Sequence, residues 1–86
     1  MTVKLHDSFA IHPGPWLKNE LIQPYGMSVA AVAKHLKVDE PVLLQLLDGR
    51  SRLTADLAIR FESAFRISAD TMLRMRTSYD LALARR

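Results

Sequence analysis

Apolar residues recur at helical spacing along most of the chain, and capping residues divide the pattern into helices. Between residues 27 and 49, Ser28 precedes one run of strong helix formers, and Asp39 precedes a second run that has Pro41 in its first turn. Asp48 and Gly49 end the second run, as is typical of a helix terminus. The apolar positions at which two such helices contact each other are Val32, Ala33, Leu36, Val38, Leu43 and Leu46. The pattern therefore predicts a helix-turn-helix over about residues 28–48.

Three further helices are predicted around this motif. A cluster of breakers at residues 12–15 ends an irregular segment, and a helix begins near Pro15 and closes at residues 24–26. Thr54 caps a fourth helix and Ser68 caps a fifth. The fourth helix has a single apolar face made of Leu57, Ala58, Phe61, Ala64 and Phe65. The predicted fold class is all-α, a five-helix helix-turn-helix domain of the Xre and lambda-repressor type.

The length of 86 residues suits one domain with a modest core. We predict an N-terminal arm over residues 1–11, which lack a helical period, and a helix-turn-helix domain over residues 12–86. The chain has no cysteine, which excludes a disulfide framework and a zinc-thiolate site. No apolar run approaches the roughly 18 residues of a membrane span, and the N-terminus has no signal-peptide core. We therefore expect a soluble, cytoplasmic protein without a membrane partner.

The fifth helix carries a wide apolar stripe that extends far along the chain from the compact core. Such a stripe is typical of a core contact and, where it exceeds what the core covers, of a dimer surface. A surface for another protein partner is the weaker alternative. The residues predicted for this dimer or partner interface are Met72, Met75, Tyr79 and Leu83.

The net charge of +3 conceals an asymmetry between the two halves of the chain. Residues 1–49 carry four lysines against five carboxylates, a net charge of −1, whereas residues 50–86 carry eight arginines against four carboxylates, a net charge of +4. Arginine binds phosphate and carboxylate groups through two parallel hydrogen bonds. The arginine-rich second half of the chain therefore indicates an acidic partner, either nucleic acid or protein. For any single arginine, a solvated surface is an equally good explanation.

The second motif helix would present Glu40, Pro41, Leu44 and Gln45 outward. Gln45 is a standard reader of adenine, Glu40 can accept from a cytosine amino group, and Leu44 can contact a thymine methyl. Basic residues at the end of the first motif helix and after the second would position the domain on phosphates, unless they form an ordinary solvated rim. The predicted DNA-contacting set is Ser28, Lys34, Lys37, Glu40, Pro41, Leu44, Gln45, Arg50 and Arg52, with His35 beside it.

No catalytic or metal-binding constellation is evident in the sequence. The histidines, His6, His12 and His35, lack ligand spacing, and no glycine-rich phosphate loop or nucleophile elbow occurs. We therefore expect no enzyme activity, no metal and no cofactor. The aromatic residues are predicted to pack in the core rather than to stack on bases. These residues are Trp16, Tyr25, Phe61 and Phe65.

Five short motifs in order along the chain resemble those of the HigA/VapI-type antitoxins, which are small Xre-like helix-turn-helix proteins. The motifs are HPG at 12–14, PYGMS at 24–28, DGRS at 48–51, LTADLA at 53–58 and YDL at 79–81. The resemblance covers roughly residues 12–84. It implies a five-helix dimer that neutralises a cognate HigB-type ribonuclease toxin and binds the promoter of its own operon.

The chain departs from this family pattern at the positions that read DNA. Val29 stands where a phosphate-binding glutamine is usual, Glu40 and Pro41 replace a serine followed by arginine or glutamine, and Asp48 replaces an asparagine. Three hypotheses follow. The chain is an antitoxin that also represses its own operon, which we favour, or an interaction module that binds the toxin and has lost specific DNA binding, or a stand-alone transcriptional regulator.

Overall fold

The computed structural model describes residues 11–86, so nearly all of the predicted N-terminal arm lies outside the described residues. Within residues 11–86 the chain forms five helices and no strand, which confirms the predicted all-α class. None of the described helices is long and apolar enough to cross a membrane. The helices are α1 Pro13–Leu17, which continues into a π-helical turn Lys18–Ile22, then α2 Val29–Leu36, α3 Glu40–Leu47, α4 Ala55–Phe65 and α5 Ala69–Ala84.

Helix α1 begins two residues earlier than predicted, because the residues expected to break the chain form its first turn. Pro13 is tolerated there, since the first N–H of a helix has no partner within it. The Nδ1 atom of His12 accepts the backbone N–H of Gly14 at 2.9 Å and caps the helix. A Cβ atom on Gly14 would lie 1.7 Å from the carbonyl oxygen of Leu46. Glycine at this position therefore lets α1 lie directly against α3.

The predicted helix caps of the remaining elements are confirmed, with one difference. The hydroxyls of Ser28, Thr54 and Ser68 each accept the backbone N–H three residues further on, at 3.0–3.2 Å. Asp39 occupies the N-cap position of α3, but its side chain makes no capping hydrogen bond. Gly49 follows α3 with a φ of +77°, the left-handed conformation that suits a helix terminus.

One hydrophobic core joins all five helices, with Phe61 fully buried among them. The predicted motif residues are part of it, except that Val38 is half-buried and packs against its edge. Met72 is also fully buried, so its assignment to a dimer or partner interface is wrong: the core of its own chain covers it completely. The prediction of a buried Tyr25 is wrong as well, because this side chain is 73% exposed in the turn before α2.

Arg60, on α4, holds the C-terminal end of α2 in place. Lys37 ends α2 in a left-handed conformation, with φ at +61°. The Nη1 atom of Arg60 donates to the carbonyl oxygens of Leu36 at 3.0 Å and of Lys37 at 3.3 Å, and its Nε donates to Asp56 at 2.9 Å. The carbonyl groups left free at the end of α2 thus gain a charged donor, and the turn of the motif is fixed to α4.

Candidate nucleic-acid interface

Helix α3 buries one face and presents the other to solvent. Leu43, Leu46 and Leu47 are buried. The four residues predicted to point outward are all exposed: Glu40, Pro41, Leu44 and Gln45. Val42 is also 46% exposed, although it was not among the outward residues predicted from the sequence. Its exposure could have been predicted from its position three residues before Gln45, because residues at that spacing lie on adjacent turns of the same part of the helix surface.

The predicted phosphate-contacting residues lie at the surface around this helix. Lys34 and Lys37 are exposed at the end of α2, and Arg50 and Arg52 are exposed in the loop after α3. Ser28 is exposed at the beginning of α2, where its hydroxyl oxygen accepts a backbone N–H. A hydroxyl has one hydrogen to donate in addition to its acceptor pairs, so Ser28 can still donate to a phosphate oxygen.

Arg52 forms an ion pair with another residue of the same chain, a contact that the sequence did not predict. Its Nη2 atom donates to Oδ2 of Asp80 on α5 at 2.6 Å, and the two side chains are 68% and 35% exposed. Asp80 belongs to the YDL motif, but a separation of 28 residues along the chain gives no signal of the contact. The carboxylate partly offsets the charge of Arg52 and also holds its guanidinium at one place on the surface.

His12 fixes the loop that carries Arg50 and Arg52. Its Nδ1 atom accepts from the first turn of α1, so the ring in this arrangement carries its hydrogen on Nε2 and donates it to the carbonyl oxygen of Ser51 at 3.0 Å. The ring also packs edge-on against Tyr79 of α5, with 5.0 Å between the centroids. These contacts connect α1, the loop and α5.

Two further surfaces bear on the predicted sites. On α5, Met75 and Tyr79 are half-buried, whereas Leu83 and its neighbour Leu81 are exposed, so the end of this helix has apolar surface that the described residues leave uncovered.

His35 on α2 packs against Phe65, with 5.4 Å between the ring centroids. Among residues 11–86, no three acidic, histidine or cysteine side chains group as metal ligands do.

Comparison with known proteins identifies the relatives of this chain. No family model matches it. The chain is 39% identical over 75 residues to virulence-associated protein I of Dichelobacter nodosus, an alignment that spans 87% of this chain and 69% of that protein.

Solved structures with the same fold are also similar in sequence. Antitoxin HigA of Pseudomonas aeruginosa, solved with the higBA promoter, is 35% identical with a TM-score of 0.83, over 87% of this chain and 82% of that one. An addiction module antidote protein of the HigA family from Coxiella burnetii is 33% identical with a TM-score of 0.80, over 87% and 82%. These relatives are described as antitoxins and antidote proteins and not as enzymes.

The sequence identity to virulence-associated protein I extends over most of both chains, and the five helices superpose on those of the HigA proteins. The motifs that suggested the family also occupy defined structural positions: HPG caps α1, and YDL supplies the ring that contacts His12 and the carboxylate that contacts Arg52. The chain therefore belongs to the HigA/VapI-type antitoxins of the Xre-like helix-turn-helix family.

Proposed function

We propose that this antitoxin represses its own operon by binding operator DNA as a homodimer. Helix α3 of each protomer would enter the major groove, with the two helices about 34 Å apart on successive turns of the duplex. The observation that carries the proposal is the exposed face of α3 in a fold that matches a promoter-bound HigA at 35% identity. The apolar surface at the end of α5, which includes Leu83, supports dimerisation there.

Phosphate contacts from the exposed basic residues would hold the dimer on the duplex. Lys34 and Lys37 approach from the end of α2, and Arg50 and Arg52 approach from the loop after α3. Ser28 adds a hydroxyl donor at the beginning of α2, where the positive end of the helix dipole also favours a phosphate. We propose that residues 12–86 are the unit that binds DNA and that it acts in the cytoplasm.

Hydroxyl-radical footprinting of the DNA upstream of its own gene tests this proposal. A bound dimer is expected to protect two patches about 10 base pairs apart, and the protection is expected to weaken steeply as salt rises. Arg50→Ala is expected to lower the slope of log Kd against log salt by about 0.9, the loss of one phosphate contact. Uniform protection along the fragment would contradict operator binding.

We also propose that the antitoxin neutralises a HigB-type ribonuclease toxin. Family membership supports this partner, and the exposed carboxylates Asp39, Glu40 and Asp48 suit a basic protein. Co-expression tests it: the neighbouring reading frame should stop growth when expressed alone and permit growth when expressed with the antitoxin. A neighbour that is harmless alone would contradict this partner.

The same three carboxylates support a second candidate function, an interaction module that binds the toxin but has lost specific DNA binding. They lie on or beside the helix that would approach a polyanion, and phosphate attraction supplies most of non-specific binding. The two candidates differ in one result. The module would rescue growth on co-expression and leave the upstream DNA without a discrete footprint.

A further inference from the structure

The exposed side of α3 is unusually apolar for a helix that enters a DNA groove. Val42 is 46% exposed and Leu44 is 40% exposed, and Pro41 is exposed beside them. These side chains lie on the side of α3 that the core does not cover, so a molecule that binds this side of the helix would contact them. Their place on α3 makes the operator proposed above the first occupant to consider.

Helix geometry arranges these side chains around a single polar reader. At 100° per residue, Pro41 and Gln45 lie one above the other at the centre of the exposed face, and Val42 and Leu44 flank that centre on opposite sides. The buried residues Leu43, Leu46 and Leu47 occupy the opposite side of the helix. Between the exposed carboxylates of Glu40 and Asp48 at the two ends of the helix, the surface offered to a groove is therefore one amide between apolar groups.

The base chemistry that fits this surface is that of an A·T pair. In the major groove, the C5-methyl of thymine is the apolar group that a base presents, and an amide side chain pairs with the N6 and N7 atoms of adenine. Arginine and lysine are the usual readers of guanine, and α3 contains neither.

We infer that α3 selects A·T pairs by contact between its apolar side chains and thymine methyl groups. Val42 and Leu44 are the specificity-determining residues for these methyl groups, and Gln45 reads an adjoining adenine edge. This inference rests on the proposed binding of operator DNA and names the groups that are read there.

Replacement of thymine by deoxyuridine tests the inference, because it removes the methyl group and leaves base pairing and phosphates intact. Each contacted methyl is worth about one buried CH₂, so each replacement within a half-site is expected to weaken Kd about fourfold. Replacements outside the half-sites serve as the duplex control. Val42→Ala and Leu44→Ala should each bind the native operator more weakly and respond less to deoxyuridine at the positions they contact.

Ile59→Ala is the matched control variant, since Ile59 is an apolar side chain that is 55% exposed and belongs to α4 rather than to the helix that would read the bases. It should keep the full response to deoxyuridine. An operator that is preferred over scrambled DNA but binds equally well with every thymine replaced would overturn the inference and leave the proposed function intact. Equal affinity for operator and scrambled DNA would overturn both, and would point to a protein as the molecule that covers Val42 and Leu44.

Discussion

Replacement of Gly14 by alanine should destabilise the protein more than a single methyl group usually does. The added Cβ would lie 1.7 Å from the backbone oxygen of Leu46, and contacts below about 3.0 Å essentially never occur at real Cβ atoms. Helices α1 and α3 would therefore have to move apart by about 1.3 Å, because the obstacle is backbone and has no other rotamer. Overpacking of this kind should lower the free energy of unfolding by about 3 kcal/mol or more.

A loss of this size is measurable in a chain of 86 residues. The free energy of unfolding is expected to be roughly 4–13 kcal/mol, so Gly14→Ala removes a large part of it. Urea denaturation gives the difference directly, and thermal unfolding should show a midpoint lower by about 12–24 °C. The effect should extend to the interface, because Gly14 also donates the N–H that orients His12 against the loop of Arg52.

Gly26 provides the matched control. It has a φ of +64° and no atom within 4 Å of where a Cβ would lie. Gly26→Ala therefore incurs only the backbone cost of a left-handed conformation, about 1 kcal/mol. If Gly14→Ala costs no more than Gly26→Ala, the close approach of α1 and α3 does not exist as described.

Three further perturbations separate the roles of individual contacts. Asp80→Asn should free Arg52 and tighten binding to random DNA at low salt about two- to fivefold, while lowering the free energy of unfolding by less than about 1 kcal/mol. A fluorescence anisotropy titration measures the binding. Weaker binding would instead make Asp80 a required positioning group for Arg52. Arg60→Ala should cost about 1.5–3 kcal/mol in urea denaturation, because two carbonyl oxygens at the end of α2 lose a charged donor, and a neutral effect would refute that role. Ser28→Ala should cost about 1 kcal/mol and Asp39→Ala about 0.5 kcal/mol, since only the serine caps through its side chain; the reverse order in thermal unfolding would contradict the capping geometry.

The scaffold of the motif could be predicted because local sequence determines it. The period of apolar residues assigns one buried face to each helix, and hydroxyl caps such as Thr54 mark where helices begin. The first turn of α1 was not predicted, because it contains a proline and a glycine, which the sequence analysis of local propensity treats as helix breakers. The close approach to the backbone of Leu46 explains why this position is glycine.

Contacts between distant parts of the chain could not be predicted from the sequence. The Arg52–Asp80 pair and the hydrogen bond from His12 to Ser51 depend on how the loop after α3 lies against α1 and α5. Periodicity also does not say how far a neighbouring helix covers an apolar stripe. For this reason Met72 was assigned to an interface although the core of its own chain buries it.

The ratio of Kd for a scrambled duplex to Kd for the DNA upstream of its own gene tests the central claim most directly. Both values are measured for the full chain at one fixed salt concentration near 150 mM, where phosphate contacts contribute equally to each. If α3 reads an operator in the major groove, the ratio should be about 1,000 or more. A ratio near one would show that the helix-turn-helix of this antitoxin no longer selects a DNA sequence.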